Sequence, residues 1–408
     1  MKGRVEVKIL VLVTFALVAF GLVMVYSATS AAAALGDGDP SYYLKRQGVY
    51  AVLGVALMLA ASRFDFRGLR ALAPGLVLVS LVLCTLVLLA PPINGARRWF
   101  TIGPAAFQPS ELAKLALAIW AAAYLARRKP PQTLAELARP IGVVVGLFCL
   151  LILAGRDLGT TIALVVMLFG LLLVSGVPLP TLGLGAGILG GLGVLAVAIE
   201  PYRRERFLSF LDPWSDPQDS GFQIIQALIG LGSGGVLGEG LGQGVQKIFY
   251  LPEAHTDMIF AIVGEELGLV GTAAVILAYA AFAYAGLRVA LACKDPFGKR
   301  LAAALTILVC GQAAINLAAV LALAPLTGIP LPFVSYGGSN LVVQLASVGI
   351  LLNIATNGSR ARASVPDRSR GHSGTRAARA GGRGRAAGGR RADDLRRVAG
   401  ARRGAARP

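Results

Sequence analysis

The sequence predicts an all-α, polytopic membrane protein with about ten transmembrane helices and a large extracytoplasmic loop between the seventh and eighth. Three observations predict it. Of the 408 residues, 56% are apolar and only 15% are charged, with a mean hydropathy of +0.69. A soluble domain is about half apolar and about a quarter charged. Apolar runs of about twenty residues recur along the chain, the length that a helix needs to cross the hydrocarbon core. Basic residues gather in alternate connections, as they do on the cytoplasmic side of membrane proteins.

In chain order the spans are read near 9–28, 47–62, 70–91, 108–126, 139–155, 158–176, 180–199, 257–288, 300–324 and 338–356. The first run, Ile9 to Tyr26, lacks a small-residue cleavage site and is long enough to cross, so it reads as a span. Lys2, Arg4 and Lys8 precede it. Arg63, Arg67 and Arg70 separate the second and third spans, and Arg127, Arg128 and Lys129 follow the fourth. Arg288, Lys294, Lys299 and Arg300 separate the eighth and ninth. With ten spans all of these fall on one side, and both termini are expected in the cytoplasm. The opposite side then holds 29–46, 92–107, 200–256 and 325–337. The long connection 200–256 is too long and too patterned for a plain connector.

Residues 1–357 thus form one transmembrane domain, and 358–408 form a cytoplasmic tail with 15 arginines against three aspartates. That tail reads as disordered chain of Ala, Gly and Arg, or as a segment binding anionic lipid or a protein partner. The formal net charge of +18 is concentrated there, and no nucleic-acid partner is implied. The four cysteines show no CxxC or metal-type spacing, and no disulfide framework is implied.

The densest chemistry lies in the stretch Tyr250 to Asp257, YLPEAHTD, which places Glu253, His255 and Asp257 together at the mouth of a span. Ionisable groups at a membrane edge are costly and usually functional. A carboxylate beside an apolar wall tends toward a raised pKa and serves as a general base. Asp257 reads either as such a base or as the N-cap of the following helix. The spacing matches no metal-ligand signature. Arg97 and Arg98 of the GARRWF run at 95–100 read as phosphate-binding groups or as interfacial snorkelling residues. In QPSELAK, 108–114, Glu111 and Lys114 share one helix face and enter a span as a structural pair, or with Lys114 near a lipid pyrophosphate. The glycine-rich segment Gly232 to Gly242 lacks the Lys-Ser/Thr ending of a phosphate loop. Its glycines are expected to let a re-entrant loop or short helices pack closely.

These blocks together resemble the SEDS family, which includes FtsW, RodA and SpoVE. The resemblance rests on YLKRQ at 43–47, GARRWF at 95–100, QPSELAK at 108–114 and RDLGT at 156–160. It continues through GSGG, YLPEAHTD, EELG at 265–268 and PLPFVSYGGS at 330–339. GARRWF and YLPEAHTD look more like FtsW or SpoVE than RodA. Departures are Gly155-Arg156 for a common Gln-Pro, Met258 for a common Phe, and Thr327 for a Lys found in some FtsW loops.

The resemblance implies a peptidoglycan glycosyltransferase that polymerises lipid II into glycan strands, with Asp257 as the essential acid. It implies substrate contacts from Arg46, Arg97, Arg98, Lys114 and His255, and a cavity held by Glu111, Glu253, Ser335 and Gln108. The expected partners are lipid II, a lipid-linked glycan, membrane lipid, a class B penicillin-binding protein and other divisome proteins. No resident cofactor is expected; a divalent cation, Mg or Mn, would share the stabilisation of the leaving pyrophosphate without a dedicated site. The expected place is the bacterial inner membrane at the division septum, with the active site facing outward. A lipid II flippase and a non-enzymatic scaffold for a division transpeptidase are the rival readings.

Overall fold

The computed structural model describes residues 4–35, 39–93, 95–103, 105–199, 201–219, 221–248 and 250–358. The tail beyond Gly358 lies outside them. The chain begins with α1 (Arg4–Leu35), α2 (Tyr42–Arg63) and α3 (Phe66–Leu86). A hairpin of β1 (Phe100–Ile102) and β2 (Ala105–Phe107) then leads into α4 (Pro109–Arg127). Next come α5 (Leu134–Leu137) and α6 (Val143–Ala154), joined by a π turn over Ala138–Gly142. After α7 (Leu158–Val174) and α8 (Leu179–Ile199), the long connection holds α9 (Pro201–Leu211) and α10 (Phe222–Ser233). The chain closes with α11 (Ile259–Ala292), α12 (Pro296–Val320) and α13 (Gly338–Asn357).

Each of the ten expected spans falls on a helical segment. Among the described residues eight segments are long and apolar enough to cross a membrane: α1, α2, α3, Leu134–Ala154, α8, α11, α12 and α13. Of the two others, α7 has only 17 residues, and α4 interrupts its alanines with Glu111 and Lys114. The connection 92–107 contains the hairpin, and 200–256 contains two helices.

Local chemistry fixes the helix starts. Asp157 Oδ1 accepts from Thr160 N at 3.1 Å and caps α7. Asp295 Oδ1 accepts from Phe297 N and Gly298 N at 2.8 and 3.0 Å and caps α12. Pro109 and Pro296 open their helices, where a missing N–H costs nothing. Helix α13 packs along α2, α11 along α12 and α1, α4 along α3, and α7 along α12. The span α13 is mostly buried, whereas α8 lies at the periphery.

One helix is interrupted. Within α11, Gly268 takes φ 63° and ψ −158°, which breaks the backbone ladder. The glycine-rich segment repairs it. Glu239 N and Gly240 N donate to the carbonyls of Glu265 and Glu266 at 2.9 and 3.0 Å, while Leu269 N and Val270 N donate to Gly235 O and Val236 O at 2.9 and 3.2 Å. Such contact requires glycine. A Cβ on Gly234 would lie 1.9 Å from Gly264 O, and one on Gly238 (φ 81°) would lie 2.2 Å from Glu266 O. The expected close packing of these glycines is therefore backbone against backbone.

Gly268→Ala, which places a Cβ 2.5 Å from Gly238 N at a left-handed φ, is expected to cost about 1–3 kcal/mol. The measurement is the thermal midpoint in detergent. Gly187→Ala, on α8 with open space around it, is expected to leave the midpoint unchanged or raise it.

Candidate active site at one end of the bundle

The segment after the glycine-rich loop turns at Glu253, a non-glycine residue at φ 56°. That conformation costs about 1–2 kcal/mol for an L-residue. Local bonds hold it: the Glu253 carbonyl accepts from Thr256 N at 3.0 Å, and its exposed carboxylate accepts from the Thr256 hydroxyl at 2.9 Å. The same hydroxyl lies 3.1 Å from Asp257 Oδ1. Asp257 is half-buried, and Met258 occupies the cap position of α11 one residue further on. The Asp257 carbonyl accepts from Asn316 Nδ2 at 2.7 Å, and that nitrogen also donates to Ile329 O at 2.9 Å. One α12 side chain thus ties the Asp257 turn to the loop between α12 and α13. That loop passes close by, since a Cβ on Gly328 would lie 3.9 Å from Asp257 Oδ2.

His255 faces the start of α2. Its ring lies 4.6 Å from that of Tyr43 and 5.5 Å from that of Tyr336, and its carbonyl accepts from Tyr336 N at 2.9 Å. Burial lowers its pKa below the ordinary 6.5, and the Glu253 charge opposes this in part. Arg46 donates to the Tyr42 hydroxyl at 2.8 Å and lies over that ring at 5.3 Å. Beside it, Gln47 Nε2 donates to Ser335 O at 3.1 Å, and Gly337 N donates to Gln47 Oε1 at 3.3 Å. The Ser335 hydroxyl accepts from Leu331 N at 2.7 Å, so it shapes the loop. The YLKRQ and PLPFVSYGGS stretches are therefore two halves of one clamp.

Arg97, Arg98 and Gln108 gather around the start of α7. Arg97 is exposed and donates to Leu88 O at 2.9 Å. Arg98 donates to the carbonyl of Arg156, and Arg156 donates to Gly95 O at 3.3 Å. Gln108 Nε2 donates to Asp157 Oδ2 at 2.9 Å. Both Arg97 and Arg98 line a small open recess that Ser110 and Asp157 share. Near this recess, Gly159 in the first turn of α7 packs against Thr327 and Ile329 of the loop between α12 and α13.

Lys114, expected as a substrate contact, is enclosed among helices. It is 1% exposed and lies 2.8 Å from Glu111 Oε2. It donates to Gln312 Oε1 at 2.7 Å, and Asn340 Nδ2 donates to Glu111 Oε2 at 2.9 Å. A cation enclosed by α4, α12 and α13 holds three helices together. Sequence reasoning also missed Asn316, Gln312 and Lys247. The first two are polar residues four apart on an apolar span, a signal that was present. Lys247 sits in a loop, where nothing in the sequence marks it for burial. Among the described residues no group of three or more His, Cys, Asp or Glu side chains is placed to hold a metal ion.

These features define a multi-pass helical membrane protein with a polar site at one end of its bundle. The family described as cell cycle protein, FtsW/RodA/SpoVE, matches residues 8–360, and the chain belongs to that family. It is 43% identical over 354 residues to the "Probable peptidoglycan glycosyltransferase FtsW" of Geobacter sulfurreducens, covering 85% of this chain and 94% of the relative. It is 39% identical to "Stage V sporulation protein E" of Bacillus subtilis, covering 85% and 96%. Among solved structures it is similar to the rod shape determining protein RodA of Thermus thermophilus, at 30% identity and a TM-score of 0.64, over 86% of this chain and 97% of that one. It is also similar to a chain of a peptidoglycan synthase complex, described as coordinating polymerization and crosslinking, at 31% identity and a TM-score of 0.72, over 86% and 98%. The expected resemblance is thereby borne out.

Lys114→Met leaves Glu111 enclosed without its cation and is expected to cost about 3–5 kcal/mol. Adding Glu111→Gln is expected to recover most of the loss in thermal midpoint. A second expectation concerns pH. Because the folded pKa of His255 is depressed, its contribution to stability is present above the ordinary value of 6.5 and is lost as pH falls toward the folded pKa. Thermal midpoints measured from neutral pH downward should fall less steeply for His255→Gln than for wild type.

Proposed function

We propose that this protein is a peptidoglycan glycosyltransferase that polymerises lipid II into glycan strands for septal wall synthesis. The observation that carries the reading is Asp257: a half-buried carboxylate, tethered through its backbone by Asn316, at the bundle end where the aromatic and arginine residues gather. In this reading Asp257 accepts the proton of the acceptor sugar hydroxyl as that oxygen attacks the donor's anomeric carbon. Undecaprenyl pyrophosphate leaves, and arginines stabilise its developing charge. Arg46, Arg97 and Arg98 are the cations assigned to that charge. Lys114 acts at a distance, by keeping α4, α12 and α13 in register. His255, held neutral by burial, belongs with Tyr43 and Tyr336 to the wall of the site. A divalent cation fits here only through Asp257 or Glu253 together with substrate phosphate oxygens, the usual manner of magnesium.

The site end faces outward in this proposal, and both termini face the cytoplasm, because the basic connections lie at the other end. The membrane is the bacterial inner membrane, and the septum is the place of action. A transpeptidase of the class B penicillin-binding type is the proposed partner, supported by the likeness to a chain of a peptidoglycan synthase complex. Other divisome proteins are expected around it.

The test is glycan-strand formation from purified lipid II, with and without the partner transpeptidase. Asp257→Asn is expected to fold and to lose about 10²–10⁴-fold of the wild-type rate. Equal rates in mutant and wild type would remove Asp257 from catalysis. Lack of polymerisation by wild type with its partner would turn the reading toward transport or scaffolding.

A further inference from the structure

At the end of the bundle opposite Asp257, two connections meet. The turn from α2 to α3 brings Arg67 and Arg70, and the turn from α11 to α12 brings Asp295 and Arg300. Phe66 and Phe297 stack with ring centroids 6.3 Å apart. A guanidinium lies over each ring, Arg67 at 4.8 Å from Phe66 and Arg70 at 5.0 Å from Phe297. Arg300, three residues beyond Phe297, stands on the same face of α12. Stacking fixes the plane of a guanidinium and leaves its N–H edge for a phosphate, whose oxygens match that fork.

Asp295 satisfies Arg70 only in part, and Arg300 donates to the Pro296 carbonyl at 3.1 Å rather than to an acid. Asp295 Oδ1 is already the cap of α12, and Arg70 reaches it only at 3.3 Å. Its Oδ2 lies 3.9 Å from Arg67. Asp65, 3.5 Å from Arg67, is 60% exposed and weakly coupled. The Nε atoms of Arg70 and Arg300 are enclosed with no hydrogen-bond partner. Enclosed charged donors without an acceptor are costly, and an anion at this cluster would supply one. The tail that begins here carries 15 arginines against three aspartates and is a poor source of it. Apolar spans α2, α3, α11, α12 and α13 all start or end at this level, which is the depth of lipid headgroups.

We propose that this arginine–aromatic cluster binds the phosphodiester headgroup of an anionic phospholipid, with Arg67, Arg70 and Arg300 as its donors. The proposal does not depend on the reaction proposed above. The full chain, purified in neutral detergent, is titrated with phosphatidylglycerol, phosphatidylcholine or inorganic phosphate while its thermal midpoint is followed. Retained lipid is counted by native mass spectrometry. Phosphatidylglycerol is expected to raise the midpoint and stay bound, and phosphatidylcholine to do neither. Its apparent affinity should fall about fivefold for each cation removed, in Arg70→Gln, Arg300→Gln and the double Arg67→Gln/Arg70→Gln. Arg127→Gln, at the same end on α4, should leave it unchanged. Equal retention of the two lipids, or a phosphatidylglycerol effect that survives the substitutions, overturns the proposal. Inorganic phosphate matching the lipid overturns the lipid as occupant. Headgroup selectivity is read on wild type alone, so the proposal remains decidable if one variant fails to fold.

Discussion

A helix interrupted inside an apolar bundle exposes peptide groups that have no water to turn to, and each one left unpaired costs several kcal/mol. In α11 the interruption falls at Gly268, and the freed groups are paired by the backbone of residues 235–240. That exchange sets the course of the chain into the site. It pins the glycine-rich segment to the flank of α11, and buried side chains then anchor residues 245–247. Glu265 accepts from Val245 N and Gln246 N at 2.7 and 3.1 Å. Glu266 pairs with Lys247 at 2.6 Å and accepts from the Ser27 hydroxyl at 2.7 Å. With those three residues held, the turn carrying Glu253, His255 and Asp257 has only a few residues in which to reach the start of α11.

Two enclosed ion pairs divide the work of fixing the bundle. Lys247 with Glu266 joins the long connection to α1 and α11. Lys114 with Glu111, extended through Gln312 and Asn340, joins α4, α12 and α13. Neither pair is a strong source of net stability, because desolvation offsets most of the attraction. Their effect is on register: a helix that slid along its neighbour would strand a charge. Asn316 lies four residues beyond Gln312 on α12, so the residue that tethers Asp257 belongs to the same polar stripe as the partner of Lys114.

The sequence made the helical spans legible because their apolar runs are long and their flanking charges alternate. It made Asp257 legible because a carboxylate at the mouth of a span stands out against its surroundings. It did not reveal how the glycines are used, since a backbone-to-backbone exchange depends on two segments meeting in space. The same limit hid the fate of Lys114. Its spacing to Glu111 put both on one face, but only the arrival of α12 and α13 decides whether that face meets a ligand or protein. Arg98 and Gln108 are similar: the hairpin and Asp157 lie about fifty residues apart in the chain and meet only in the fold.

The Ser27 hydroxyl and the Glu266 carboxylate are separated by 239 positions. During synthesis the first helix therefore enters the membrane long before the carboxylate that will close over it has been made. Loop closure over such a distance comes late and is slow. Until then the face of α1 that packs on α11 has no such partner. The site end of the bundle is thus completed only after α11 has been made, even though a residue of α1 closes it.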